Sequence, residues 1–385
     1  MFRKAAGSAK ITKIHSYSPR STTLGFAVFF LLAISIATLE VLDRSNPLRW
    51  LTYAVPVLAL IASIQSQNIR LSGPAPVIVA FSIAFILSII ANIDEIDLFY
   101  AGRDAIIYSL ILMTLFVRLP ITGAQIFFSM CCTFFLVFTS LILGKQMNVS
   151  LLYGADTLRG ESSASIVYAA LAIFFLINRQ LLFATISFIF AIFTFKRTSY
   201  VYFVITLACW IIVEFTIAIV GSKYRKICIT ASTVILYSAC FTFSFYLLDA
   251  IRFVQETFFP HTPLHEFTTG RSGLYLMIMN VYENSDLRHI IFGYGPGSIE
   301  KLILEKLNLS LAHNEFLHHF LDYGAMGIIF FGAFILTIVN IRIKYYPIAF
   351  YLVLVSLTDN PFYVFIISIP IICLFSMEID DSRRI

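Results

Sequence analysis

Residues 22–42 read TTLGFAVFFLLAISIATLEVL, and they decide what kind of molecule the chain is. An apolar helix of that length crosses a hydrocarbon core about 30 Å thick. The residues before it hold Arg3, Lys4, Lys10, Lys13 and Arg20 and no acid. That layout imitates a secretory signal, but the run has spanning length and no A-x-A-like cleavage site follows it. It is therefore expected to be a first transmembrane helix.

The rest of the chain repeats the pattern. Of 385 residues, 59% are hydrophobic and 13% charged, against about 25% charged in a soluble domain. Further apolar windows lie at 50–65, 74–92, 104–119, 121–143, 164–178, 180–195, 198–220, 226–247, 325–340, 345–358 and 361–377. The expected fold is an all-α integral membrane protein with twelve transmembrane helices. All six cysteines fall within or at the ends of these windows, without the spacing of a disulfide or zinc framework, and are expected to be packing residues. The net charge of +5 is modest, and no basic stripe with interleaved aromatics points to nucleic acid.

Short cytoplasmic loops collect Lys and Arg. With the N-terminus inside, fifteen basic residues fall on cytoplasmic segments, including Arg179, Lys223, Arg225, Lys226, Arg342 and Lys344, and seven on the short outer segments. The expected organisation is a cytoplasmic tail (1–21), a bundle of nine spans (22–247), a large outer loop (248–324), three more spans (325–377) and a cytoplasmic tail (378–385). The loop is too long for a simple connector, and helical patterning at 271–284 and 313–323 flanks the turn GYGPGS at 293–298.

Four constellations carry candidate chemistry. In LAHNEFLHHFLDYGAMG, 311–327, a helix advancing about 100° per residue groups Phe316, Leu317, Phe320 and Gly324 near His313. Glu315, His318, His319 and Asp322 fall on the other side, expected to be a wet surface. His313 then points into the bundle, as a core histidine bonded to a carbonyl or as a functional group. The HExxH pattern of a zinc site is absent, and no metal is expected.

In TTGRSGLYLMIMNVYEN, 268–284, Arg271 opens a helix, where the macrodipole disfavours a cation, and shares a face with Tyr275, Ile278 and Tyr282. It needs an anion. A phosphate also held by free helix N–H groups fits, as does a loop acid such as Glu256 or Glu266. Lys196 and Arg197 in FKRTSYVYF, 195–203, lie on the outer side against the charge bias, either as a site or as lipid-facing cations. Arg159 in LRGESSAS, 158–165, precedes a span, where the serines also suit a helix cap. Two acids near span ends or mid-span, Glu40 and Glu214, stay unassigned, and DEID at 94–97 matches Asp-x-Asp only loosely.

The order of these features resembles the O-antigen ligase and Wzy-like polymerase superfamily of bacterial inner-membrane proteins. The likeness is sharpest over 268–327, in the GR-x-x-L helix, the G-x-G turn and the H-N-x-x-L…D-Y-G-x-x-G run, and is supported by RGESSAS and FKRTSY. It implies a GT-C-like bundle whose large loop is periplasmic and carries the catalytic motifs, with both termini cytoplasmic. Arg197 and Arg271 would hold the diphosphate of an undecaprenyl-diphosphate-linked oligosaccharide, with His313 as the essential histidine. Lys196, Asn314, Arg159, Tyr275 and Tyr294 would line the substrate site. Membrane lipid, a flippase and chain-length regulator proteins are the implied partners, and no cofactor is expected.

The expected function is polymerisation of lipid-linked glycan repeat units for O-antigen, capsule or exopolysaccharide. The ligase that moves finished glycan onto lipid A core is the alternative. A non-enzymatic transporter or flippase would place paired Gly/Pro breaks in two related halves, and Pro74, Pro76, Pro347, Pro361 and Pro370 do not pair so.

Overall fold

The computed structural model describes residues 19–41, 51–65, 74–117, 121–143, 162–194, 196–264, 271–307, 314–362 and 364–376. Among them the chain is helical, with no strand. Each of the twelve apolar windows coincides with a helix: α1 (Pro19–Val41), α2 (Leu51–Gln65), α3 (Ala75–Ala91), α4 (Leu98–Thr114), α5 (Gly123–Leu143), α6 (Ala164–Ile177), α7 (Leu181–Phe193), α8 (Arg197–Val220), α9 (Arg225–Phe258) and, later in the chain, α13 (Glu315–Ile341), α14 (Tyr346–Val355) and α15 (Phe365–Ser376). Among the described residues three helices are long and apolar enough to cross a membrane, those within Arg197–Val220, Ser222–Phe258 and Glu315–Ile341.

Between α9 and α13 lie α10 (Arg271–Glu283), α11 (Leu287–Phe292) and α12 (Ser298–Leu307). The last two escape the sequence pattern because they are short. Helix boundaries also move where local chemistry overrides hydropathy. α4 begins at 98 rather than 104 because Asp97 caps it, Oδ1 accepting the N–H of Phe99 at 3.0 Å. α9 runs unbroken to Phe258, past the 247 boundary. At 1.5 Å per residue its 34 residues extend about 51 Å, well beyond a hydrocarbon core about 30 Å thick.

Burial sorts the helices into an inner set and an outer set. From Ala164 to Phe175 every residue of α6 is buried, as is every residue of α14. Helices that are apolar all round belong inside. The outer helices present aliphatic side chains outward: Ile211, Ile212, Phe215 and Ile219 of α8 are each more than 60% exposed. A continuous apolar exterior of this kind suits lipid and would be an aggregation liability in water. The six cysteines are free and buried or half-buried, as expected of packing residues.

Hydrogen bonds align the ends. Lys344 donates to Asn178 Oδ1 at 2.8 Å in the α6–α7 turn, and Glu214 joins Arg225, at 2.6 Å, to the hydroxyl of Tyr346 at 3.2 Å. The turns that carry Arg179, Lys223, Arg225, Lys226, Arg342 and Lys344 therefore gather at one end of the bundle. Glu214, unassigned in the sequence, is the acid that anchors this basic end.

Candidate functional site

The opposite end is organised by the first turns of α13. Asn314 is its N-cap: Oδ1 accepts the N–H of Leu317 at 3.0 Å, while Nδ2 donates to the carbonyl of Leu357, also at 3.0 Å. The N–H of Glu315 donates to Ser356 O at 2.9 Å, and a carboxylate oxygen of Glu315 accepts the N–H of Phe362 at 3.3 Å. The segment 356–362, between α14 and α15, thus cradles the start of α13. The same segment holds Lys196, whose ammonium donates to Asp359 Oδ1 at 2.6 Å with both side chains buried. Next to it Arg197, the first residue of α8, is exposed.

A third segment reaches the same place. Tyr275, one turn into α10, is buried with Leu274 and Ile278 in a small core that includes Leu247 and Leu248 of α9 and Leu317 and Leu321 of α13. The face of α10 expected to turn away from solvent does so. Arg271 opens this helix, and its side chain lies outside the described ones, as do His313 and Arg159 altogether. Tyr294 sits in the 293–298 turn, its hydroxyl 2.9 Å from Ser285 Oγ and its ring stacked on His289 at 4.0 Å.

The expected wet face of α13 is not wet. Glu315, His318, His319 and Asp322 are at most 1% exposed, because the first turns of α13 are enclosed: α9 and α10 cover Leu317, Phe320 and Leu321, while α3, α4, the 293–298 turn and segment 356–362 cover the polar residues. These approach one another in pairs at i, i+4 spacing, with His318 Nε2 3.3 Å from Asp322 Oδ2 and His319 Nε2 3.4 Å from Glu315 Oε1. Polarity here marks a buried network rather than solvent. The two acid/His pairs four residues apart were the available signal.

Asp322 is the hub. Its Oδ2 and Oδ1 accept the N–H groups of Gly297, at 3.1 Å, and Ile299, at 2.8 Å, which caps the start of α12. Its carbonyl accepts from Ser88 Oγ at 2.8 Å and from the N–H of Gly295 at 3.2 Å, and Asn92 Nδ2 donates to Gly293 O at 2.9 Å. The G-x-G turn and the D-Y-G run are one assembled unit. From α4, Asp104 accepts the hydroxyl of Tyr323, and Tyr108 stands 3.5 Å from His319 Nε2. Asp104, His318 and Asp322 each offer a ligand atom, all within 4.8 Å of one another, so this buried trio is the donor set among the described residues that fits a metal ion.

Between α4 and α12, the Arg103 guanidinium lies against the nearly buried Glu300. Burial pushes the Glu300 carboxyl up to about 8, with His318 pulling downward and Asp322 upward. At Asp97 desolvation acts upward, but the hydrogen bond from Lys301 and the N–H groups of Phe99 and Tyr100 hold the carboxyl below its usual value. Of the DEID acids, Asp97 therefore serves a helix cap and an ion pair with Lys301, and Glu95 an ion pair with Arg288. In the LRGESSAS stretch the serine part is a helix start, with Ser162 Oγ accepting the N–H of Ala164 at 3.1 Å.

No protein-family model matches this sequence, and no curated protein does.

Proposed function

We propose that the chain is a membrane glycosyltransferase that polymerises lipid-linked glycan repeat units. The observation that supports this reading is convergence. The segments at 196–197, 271–275 and 314–322, far apart in sequence, meet around the first turns of α13, at the end opposite the basic turns. The positive-inside rule makes the basic end cytoplasmic and the converging end periplasmic, with twelve spans in a GT-C-like bundle of the bacterial inner membrane.

In this reading a sugar hydroxyl of one lipid-linked unit attacks the anomeric carbon of the growing chain. The bond from that carbon to the diphosphate oxygen breaks, and undecaprenyl diphosphate leaves with the electron pair. Arg197, exposed at the head of α8, and Arg271, at the head of α10, stabilise the charge developing on the diphosphate. His313, directly before the capping Asn314, accepts or orients the hydroxyl proton. Lys196 is engaged by Asp359, so its part is to fix the start of α8 and thereby Arg197.

The test is elongation of a synthetic undecaprenyl-diphosphate repeat by the purified protein without nucleotide sugar. Elongation is expected in the wild type and lost in His313→Ala and Arg271→Ala; undiminished elongation in both sinks the site. A deletion strain is expected to show single-repeat caps. Bare core with accumulated polymer would indicate a ligase instead.

A further inference from the structure

On the outer side of the 293–298 turn lies an open cleft of about 420 Å³, within the size range of small-molecule sites. Its walls are the 95–100 turn, the C-terminal end of α10, Tyr294 and the exposed face of α12, with Leu321 below. Two tyrosines, Tyr100 and Tyr294, line it together with Asn280 and Asn284. The two asparagines are four residues apart at the C-terminal end of α10, Asn284 being the first residue past Glu283, and Asn284 Nδ2 donates to Asn280 Oδ1 at 2.9 Å. That bond leaves Asn280 Nδ2 as a donor and Asn284 Oδ1 as an acceptor without a protein partner among the described residues.

Tyrosine side chains beside an amide donor and acceptor match a ligand that is apolar on its faces and hydroxylated at its edges. The charges exclude a phosphate. Among the described residues Lys301 is the only cation lining the cleft, and Asp97 engages it at 3.3 Å; Glu95 is engaged by Arg288 at 3.0 Å. Glu305 also lines the cleft and has no ion pair among the described residues, so an anionic ligand is disfavoured as well.

We infer that this cleft is a distal saccharide subsite that takes an uncharged or amino-sugar segment of a glycan and rejects uronic acids. Its place in the reaction rests on the polymerase reading. Asn280 lies nine residues along α10 from Arg271, about 14 Å at 1.5 Å per residue. That is too far for contact with the breaking bond. The subsite holds the glycan while the chemistry occurs elsewhere, so its loss raises KM and leaves kcat.

The experiment titrates the purified full-length protein with maltotetraose, chitotetraose and tetragalacturonate, read by saturation-transfer NMR. At least one neutral probe should bind saturably and tetragalacturonate should not, and Asn280→Ala/Asn284→Ala should weaken binding about tenfold. Failure of both neutral probes, equal binding of the acidic probe, or an unaffected double variant overturns the inference. Elongation of the lipid-linked repeat, measured in parallel, separates the two readings. Elongation with an unchanged KM in the double variant removes the subsite and leaves the polymerase. Variant-sensitive probe binding without elongation in any preparation removes the polymerase and leaves a saccharide site.

Discussion

Gly293 and Gly324 lie back to back. Both have positive φ, +73° and +64°, and each faces the backbone beside the other: a Cβ on Gly293 would overlap the Asp322–Tyr323 peptide, and one on Gly324 the Ile291–Phe292 peptide. Gly324 also puts a kink into α13, with ψ −152°, a conformation open essentially to glycine alone. Gly293→Ala and Gly324→Ala are each expected to destabilise by about 1–3 kcal/mol from backbone strain, with the steric overlap added. Gly102→Ala, in a helix with nothing within 4 Å of the new methyl, is the contrast and should stabilise by about 0.5–1 kcal/mol. Thermal denaturation of the purified variants measures all three.

Lys196 and Arg197 are adjacent and opposite in character. Replacing Lys196 by Met leaves Asp359 buried without its cation and should cost about 3–5 kcal/mol. Arg197→Ala removes an exposed side chain and should change stability by no more than about 0.5 kcal/mol. On the proposed function it nonetheless abolishes elongation. A thermal midpoint and an elongation rate for each variant separate the two roles, and an Arg197→Ala protein with full activity rejects Arg197 as a diphosphate ligand.

Asp322→Asn keeps one acceptor oxygen and loses the other. One of the N–H groups of Gly297 and Ile299 is then unpaired in a buried place, at a cost of about 1–3 kcal/mol, and His318 loses its carboxylate. Combined with His318→Gln, the loss should be smaller than the sum of the two single losses, since both remove the same contact. Additive values in a double-mutant cycle would mean that the pair is not coupled.

Glu300 should make stability depend on pH. Its folded-state pKa is raised from 4.5 to about 8, so the folded protein holds a proton that the unfolded chain releases. The contribution is fully present below pH 4.5 and is lost as pH rises toward 8. Glu300→Gln removes the titration, and its thermal midpoint should fall less than that of the wild type across this window. Parallel midpoint curves would contradict the burial-driven shift.

The helices were legible because apolar runs in lipid-like surroundings report themselves through length alone, and all twelve windows land on helices. The inward face of α10, with Tyr275 and Ile278, was legible from its 3.6-residue period. The polar face of α13 was not. Glu315, His318, His319 and Asp322 have the periodicity of a solvated stripe, and only the positions of α3, α4 and segment 356–362 reveal that protein covers them. Asp359 and Asp104 were invisible for a related reason: each is a lone acid in an apolar stretch, and its partner lies far along the chain, Lys196 at a separation of 163 residues and Tyr323 at 219.

That separation also sets a clock. A ribosome adding roughly 5–20 residues per second makes Asp359 on the order of 10–30 s after Lys196, and Leu357, the acceptor for Asn314, belongs to the same late stretch. Until then α8 can enter the bundle but its leading lysine has no anion to meet. The converging end is therefore completed late, after every helix but α15 has been made. A nascent chain halted before residue 356 would hold its outer helices in place and have no assembled site.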